Sequence, residues 1–187
     1  MTEAASKEPI MPRISKKQNK NVYQRLREEA KLTREAASVL LETVSPERIE
    51  RIESEKAEPY PDEVLLMSKK YKAPSLCNYY CSNQCPIGQY YVPEIKLKDL
   101  SQIILEMLSS LNSMNKCKDR LIDITADGKI DEDELSDFMF IQEELERISI
   151  TVETLQLWSE QMLESGKIDV SKYNEYKKAK NNAKKSD

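Results

Sequence analysis

The run Ser45-Pro46-Glu47-Arg48-Ile49-Glu50-Arg51-Ile52-Glu53 constrains the fold more than any other part of the chain. Ser45 offers the side-chain oxygen that a helix start needs, and Pro46 suits the first helical position, where its missing N–H costs nothing. Ile49 and Ile52 then fall three apart on one face, as a short core-facing helix requires. A second start signal stands upstream at Thr33, with Glu35 and Ala36-Ala37 behind it, and a first amphipathic helix carries Leu26 and Ala30. Glu42-Thr43-Val44 is the turn that joins the last two of these helices.

Composition extends the helical reading to the whole chain. Three glycines in 187 residues are too few for a protein of strands and turns, whereas 39% hydrophobic residues are enough for helical cores. The expected class is all-α. There is no histidine, which excludes His-based acid–base catalysis and the usual Cys–His pairs, and no glycine-rich phosphate loop occurs. Nothing assembles an acid, a base and an oxyanion donor, so the chain is not expected to be an enzyme. No apolar run approaches the ~20 residues of a membrane span, and Met1 to Lys20 lacks the apolar centre of a signal peptide. A cytoplasmic protein without membrane contact is the expectation.

Between about Asn19 and Pro74 the chain resembles the Xre/Cro family of phage-repressor-type regulators. Leu26 and Arg27 look like the family's first-helix pattern, and Thr33-Arg34-Glu35 like the start of its second helix. Ile49 through Glu53 looks like the hydrophobic pair and terminal glutamate of its recognition helix. Pro59 or Pro61, then Val64-Leu65-Leu66-Met67 and Tyr71, look like the helix that follows. The resemblance implies a five-helix, lambda-repressor-like helix-turn-helix domain that binds double-stranded DNA and regulates transcription. It places Ser45, Glu47 and Arg48 nearest the bases, Arg51 on the same helix, and Thr33 and Arg34 nearest the phosphates. Glu47 can accept from cytosine N4 and Arg48 can fork onto guanine. Yet Ser45 to Glu55 holds more carboxylates than guanidiniums, so a domain of this shape that contacts protein instead of DNA is the competing expectation.

Charge by region bears on that choice. The whole chain carries −4; residues 1 to 94 hold fifteen bases and fourteen acids, but residues 99 to 169 hold six bases and seventeen acids. A field of that sign repels phosphate, which leaves the acidic half for assembly or for a protein partner. Arg13, Lys16, Lys17 and Lys20 form a basic arm over residues 1–18 and just beyond it, able to touch phosphate or to stay a solvated tail.

Cys77, Cys81 and Cys85 follow in a Cx3Cx3C pattern. If Ser75 starts a helix, Cys77 and Cys81 lie one turn apart and Cys85 comes just before Pro86 ends it. Few charges lie nearby, so a thiolate cluster would favour zinc or an iron-sulfur cluster, or serve as a redox sensor. Zinc needs a fourth ligand, and Cys117 is forty residues from Cys77. The alternative is a set of buried, reduced thiols packed with Tyr79, Tyr80, Tyr90 and Tyr91. On balance no cofactor is expected.

Val92-Pro93 breaks any continuing helix, so the helix-turn-helix domain with its cysteine-containing last helix is expected over 19–89 and a connector over 90–94. From Leu97 to Leu121 apolar residues recur at three- and four-residue steps, and again from Leu135 to Met162. The pattern describes a long antiparallel helical hairpin over 95–165. A two-helix hairpin offers each apolar stripe one neighbour, so a homodimer is expected to close its core. Its turn, Asp123 to Glu134, resembles an EF-hand loop: Asp123 stands at position one, Thr125 at three, Asp127 at five, Lys129 at seven, Asp131 at nine and Glu134 at twelve. The resemblance implies a calcium site, although Thr125 departs from the usual carboxylate or amide. The competing reading is an Asp-Gly turn, then a helix capped by Asp131 with Glu134 at its third position. Residues 166–187 read as a marginal helix and a lysine-rich tail.

Overall fold

A computed structural model describes residues 20–124 and 129–183, with side chains to residue 180. Among the described residues every regular element is a helix: α1 (Val22–Glu29), α2 (Arg34–Leu41), α3 (Pro46–Glu53), α4 (Pro61–Lys70), α5 (Ser75–Asn83), α6 (Gly88–Tyr91), α7 (Leu100–Lys116), α8 (Lys118–Ile124), α9 (Leu135–Glu164) and α10 (Val170–Ala183). None of the described helices is long and apolar enough to cross a membrane. They form two compact units that divide between Cys77 and Asn78.

In the N-terminal unit three short helices start on side-chain caps. The side chain of Asn21 accepts from the Gln24 N–H at 3.0 Å, Thr33 from Ala36 at 3.1 Å and Ser45 from Arg48 at 3.2 Å. Thr33 and Ser45 are the starts that the sequence announces. α1, α3 and α4 end alike: the residue after the cap turns left-handed (Lys31 φ 60°, Glu55 φ 60°, Lys72 φ 56°), and the next N–H reaches back to the third-last helical carbonyl. These closures keep the elements to 8–10 residues and turn each helix onto its neighbours. α2 packs on α3 and α4, and α1 on α3. Leu41, Val44, Ile49, Ile52, Val64, Met67 and Leu76 are fully enclosed, with Ala37 at 0% exposure where the α2 backbone approaches its neighbours.

In the C-terminal unit α7 and α9 pack along their lengths. Gln102 shares a cleft with Trp158 and Met162, Ser110 shares another with Arg147 and Thr151, and Arg120 Nε donates to Asp137 Oδ2 at 2.6 Å. The register therefore runs antiparallel. Ile103 and Ile141 fill the seam, together with Ser110, Glu144, Thr151 and Thr154, and Leu157 is buried beside it. Thr151 and Thr154 satisfy their hydroxyls on the carbonyls of Arg147 and Ile150, while Glu144 keeps one buried oxygen without a partner.

Three features depart from the expected outline. The first long helix stops at Cys117, whose N–H bonds the carbonyl three residues back, and resumes as α8. The second begins at Leu135, so Asp131 does not cap it. The Glu134 carboxylate instead accepts from the Asp131 N–H at 3.3 Å within a preceding turn. The segment at 92–99 is pinned, because the Asn78 amide donates to the Pro93 carbonyl at 2.9 Å and accepts from the Ile95 N–H at 2.8 Å. Gly88 lies so close to the Cys81 carbonyl that any Cβ would collide with it. These contacts join the end of α5 and all of α6 to the C-terminal unit. Side chains 170–180 of α10 are all exposed.

Candidate nucleic-acid interface

The α2–turn–α3 segment holds the residues that the sequence assigns to DNA. Glu42 closes α2 with φ 61°, and Val44, 2% exposed, anchors the turn in the core so that α3 starts at a defined angle. Ile49 and Ile52 face inward, and Ser45, Glu47, Glu50 and Arg51 face solvent. Glu47 lies at the α3 N-terminus, where the end-of-helix N–H and the Ser45 hydroxyl hold its carboxyl below the ordinary range.

Arg48 is not on that outer face. Its Nε donates to Glu63 Oε1 at 2.9 Å, its Nη2 to Glu63 Oε2 at 2.7 Å and to the Glu58 carbonyl at 2.8 Å, and its guanidinium lies 4.8 Å over the Tyr60 ring. All of these tie α3 to the start of α4, which is the geometry in which arginine binds a carboxylate best. Glu63 also accepts from the Tyr60 N–H at 2.8 Å. Although burial pushes the Glu63 carboxyl up, the hydrogen bonds from Arg48 and Tyr60 hold it below its ordinary value. The family resemblance implies a place for Arg48 at the base edges; here its guanidinium clamps α3 to the start of α4.

Arg34 is only partly enclosed. Its Nε donates to Glu53 Oε2 at 2.8 Å, yet more than a third of its side chain remains exposed beside Thr33. Glu53, its own side chain 1% exposed, also receives Nε and Nη2 of Arg27, the latter at 3.0 Å. Arg27 Nη1 donates to the Leu32 carbonyl at 2.6 Å. One buried carboxylate thus joins α1, α2 and α3 through two guanidiniums, with Glu28 and Glu35 as the further carboxylates near them. No local pattern in the sequence names a charge partner for Glu53. Its signal was the spacing: Ile49, Ile52 and Glu53 are i, i+3 and i+4, so Glu53 shares the core-facing side and needs a cation. Tyr23, Leu26 and Arg27 repeat that spacing on α1 and supply it. Asn21 adds a further tie, donating to the Ile52 carbonyl at 2.8 Å.

Cys77 and Cys81 lie on α5, and Cys85 follows it with its sulfur accepting from the Gly88 N–H at 3.5 Å. All three stand outside any disulfide and are half-buried. Of the calcium candidates, Asp123 ends in α8, Lys129 and Asp131 are exposed, and Glu134 is turned back on Asp131. Thr125 and Asp127 lie outside the described residues. Among the described residues no three His, Cys, Asp or Glu side chains are placed to hold a metal ion.

Comparison with known protein families, with curated proteins and with solved structures finds no match for this chain.

Proposed function

We propose that the N-terminal unit reads double-stranded DNA as part of a transcriptional regulator, with α3 in the major groove and the start of α2 across the phosphates. The supporting observation is the solvent-facing side of α3: Ser45, Glu47 and Arg51 stand outward on a helix whose opposite side is buried, while Arg34 at the start of α2 keeps more than a third of its side chain exposed. The contact set that follows is Thr33, Arg34, Ser45, Glu47 and Arg51, and Arg48 supports α3 from behind. Arg51 is the guanidinium on this face that can fork onto guanine, and Glu47 can accept from cytosine N4.

A protein partner is the second reading, favoured by the carboxylates of Glu47 and Glu50 on the same face and by Val39, 80% exposed on α2. Selection of bound sequences from a random duplex pool, followed by a salt titration, separates the two. DNA binding predicts an enriched motif, a counterion-release slope and roughly a tenfold or greater loss on Arg51→Ala. Retention of no sequence, with no salt-dependent binding, would leave the protein reading.

A further inference from the structure

The α7–α9 hairpin has two flanks, and they differ in chemistry. Along the seam, Ile103, Met107, Ser110 and Met114 of α7 face Ile141, Glu144, Ile148 and Thr151 of α9, alternating at three and four residues as in a coiled coil. In an antiparallel pair the positions just after the seam on one helix lie on the same side as those just after it on the other. One flank carries charge at Lys98, Glu106 and Arg147, beside Ile150 and, further along α9, the buried Leu157. The opposite flank carries Ile104, Leu108 and Leu111 from α7 and Leu145 and Val152 from α9, at 38% to 57% exposure. By the register, Ile104 stands across from Val152 and Leu111 from Leu145.

The remaining positions of that flank are Ser101, Asn115, Gln142, Ser149 and Gln156. It therefore bears no charge over about four turns, in a segment where residues 99–169 hold seventeen acids and six bases. A surface facing solvent has no reason to exclude charge so completely. Two copies of an acidic segment meeting about a two-fold axis do, because a carboxylate near the axis meets its own copy and one further out faces a partner surface in which acids outnumber bases. We infer that this uncharged flank is where a second copy of the chain docks, hairpin on hairpin, closing a four-helix bundle. The stripe left without a neighbour in one hairpin then lies against its equivalent, and the exposed acids of α9 at Glu146 and Glu160 stay on the outside. This inference is independent of the DNA reading.

Sedimentation equilibrium of the full chain tests it. The expected mass is that of two copies. Leu108→Glu should weaken association by about a hundredfold or more, since each dimer carries the change twice, with far-UV circular dichroism unchanged because Leu108 is already more than half exposed. Leu105→Glu is the control: Leu105 is 67% exposed but lies on the outward side of α7, and its change should leave the dimer intact. Should Leu108→Glu lose helix content, the milder pair Leu145→Gln with Val152→Thr takes its place and should also dissociate the dimer. A single-copy mass for the native chain at its highest soluble concentration would overturn the inference. So would a dimer that survives the flank substitutions, or one that Leu105→Glu dissociates equally.

Discussion

Glu53 shows how much one side chain can decide. Its carboxylate is almost wholly buried and is tolerated because Arg27 and Arg34 both donate to it, so that three helices share one ionic junction. Removing one member of a buried pair leaves the other charge uncompensated, at a cost of about 3–5 kcal/mol. Glu53→Gln should therefore lower the unfolding free energy of the N-terminal unit, measured by urea titration, by that order, whereas Glu50→Gln, on the exposed side of the same helix, should stay within about 0.5 kcal/mol of the native protein. Equal effects would contradict the junction.

Glu63 adds a pH dependence. Its carboxyl is held below the ordinary value despite burial, by Arg48 and the Tyr60 N–H. A depressed carboxyl contributes stability that is fully present above its unfolded value of about 4.3, and that is lost as the pH falls through the lower folded value. Urea midpoints measured from pH 7 to pH 3 should show Glu63→Gln destabilised at neutral pH, with the gap to the native protein narrowing below about pH 4. A gap that held constant to pH 3 would show that the clamp does not depend on the ionised carboxylate.

At the scale of the element, the helix ends are more revealing than the helices. α9 closes on Gly166 with φ 71°, as a left-handed closure favours. α1, α3 and α4 make the same closure with Lys31, Glu55 and Lys72, which pay the steric cost of a Cβ in that conformation, about 1–2 kcal/mol each. Glu55→Gly should relieve it. Less the greater entropy of glycine in the unfolded chain, the gain is about 0.5–1 kcal/mol, read as a rise of a few degrees in the thermal midpoint. A fall would mean that the Glu55 side chain contributes more than its conformation costs. The low glycine count that makes the chain look helical thus also hid where its helices stop. Starts were legible because Ser45 and Thr33 act through their own side chains, whereas these stops are backbone geometry that lysine and glutamate adopt here.

Across the whole molecule, stability is unevenly distributed. α10 presents no buried side chain from residue 170 to 180, and its start is capped by Asp169, whose carboxylate accepts from the Ser171 and Lys172 N–H groups at 2.9 and 3.1 Å. A helix without tertiary contacts contributes little to the folded state. Ending the chain at Ile168 should leave the thermal midpoints within a degree or two of the native values, with loss of the helical signal of α10 alone. A larger fall would require α10 to have a partner in solution. The α7–α9 seam, by contrast, has buried polar groups at Ser110, Glu144, Thr151 and Thr154.

Helicity, the starts of α2 and α3, and the inward residues of α3 are legible along the chain, because caps and apolar spacing act over a few residues and need no distant partner; in the hairpin the same spacing marks Ile103 and Ile141, which are buried, and equally Leu108 and Leu145, which are exposed. The fate of the charges was decided only in three dimensions. Arg48 and Arg34 read alike along the chain as cations near a helix start. Glu63, fifteen residues beyond Arg48, takes it away from the outer face, while Glu53, nineteen residues beyond Arg34, leaves that side chain partly outside. An ion pair is chosen by which carboxylate folding brings within 3 Å, and local spacing holds no record of that distance.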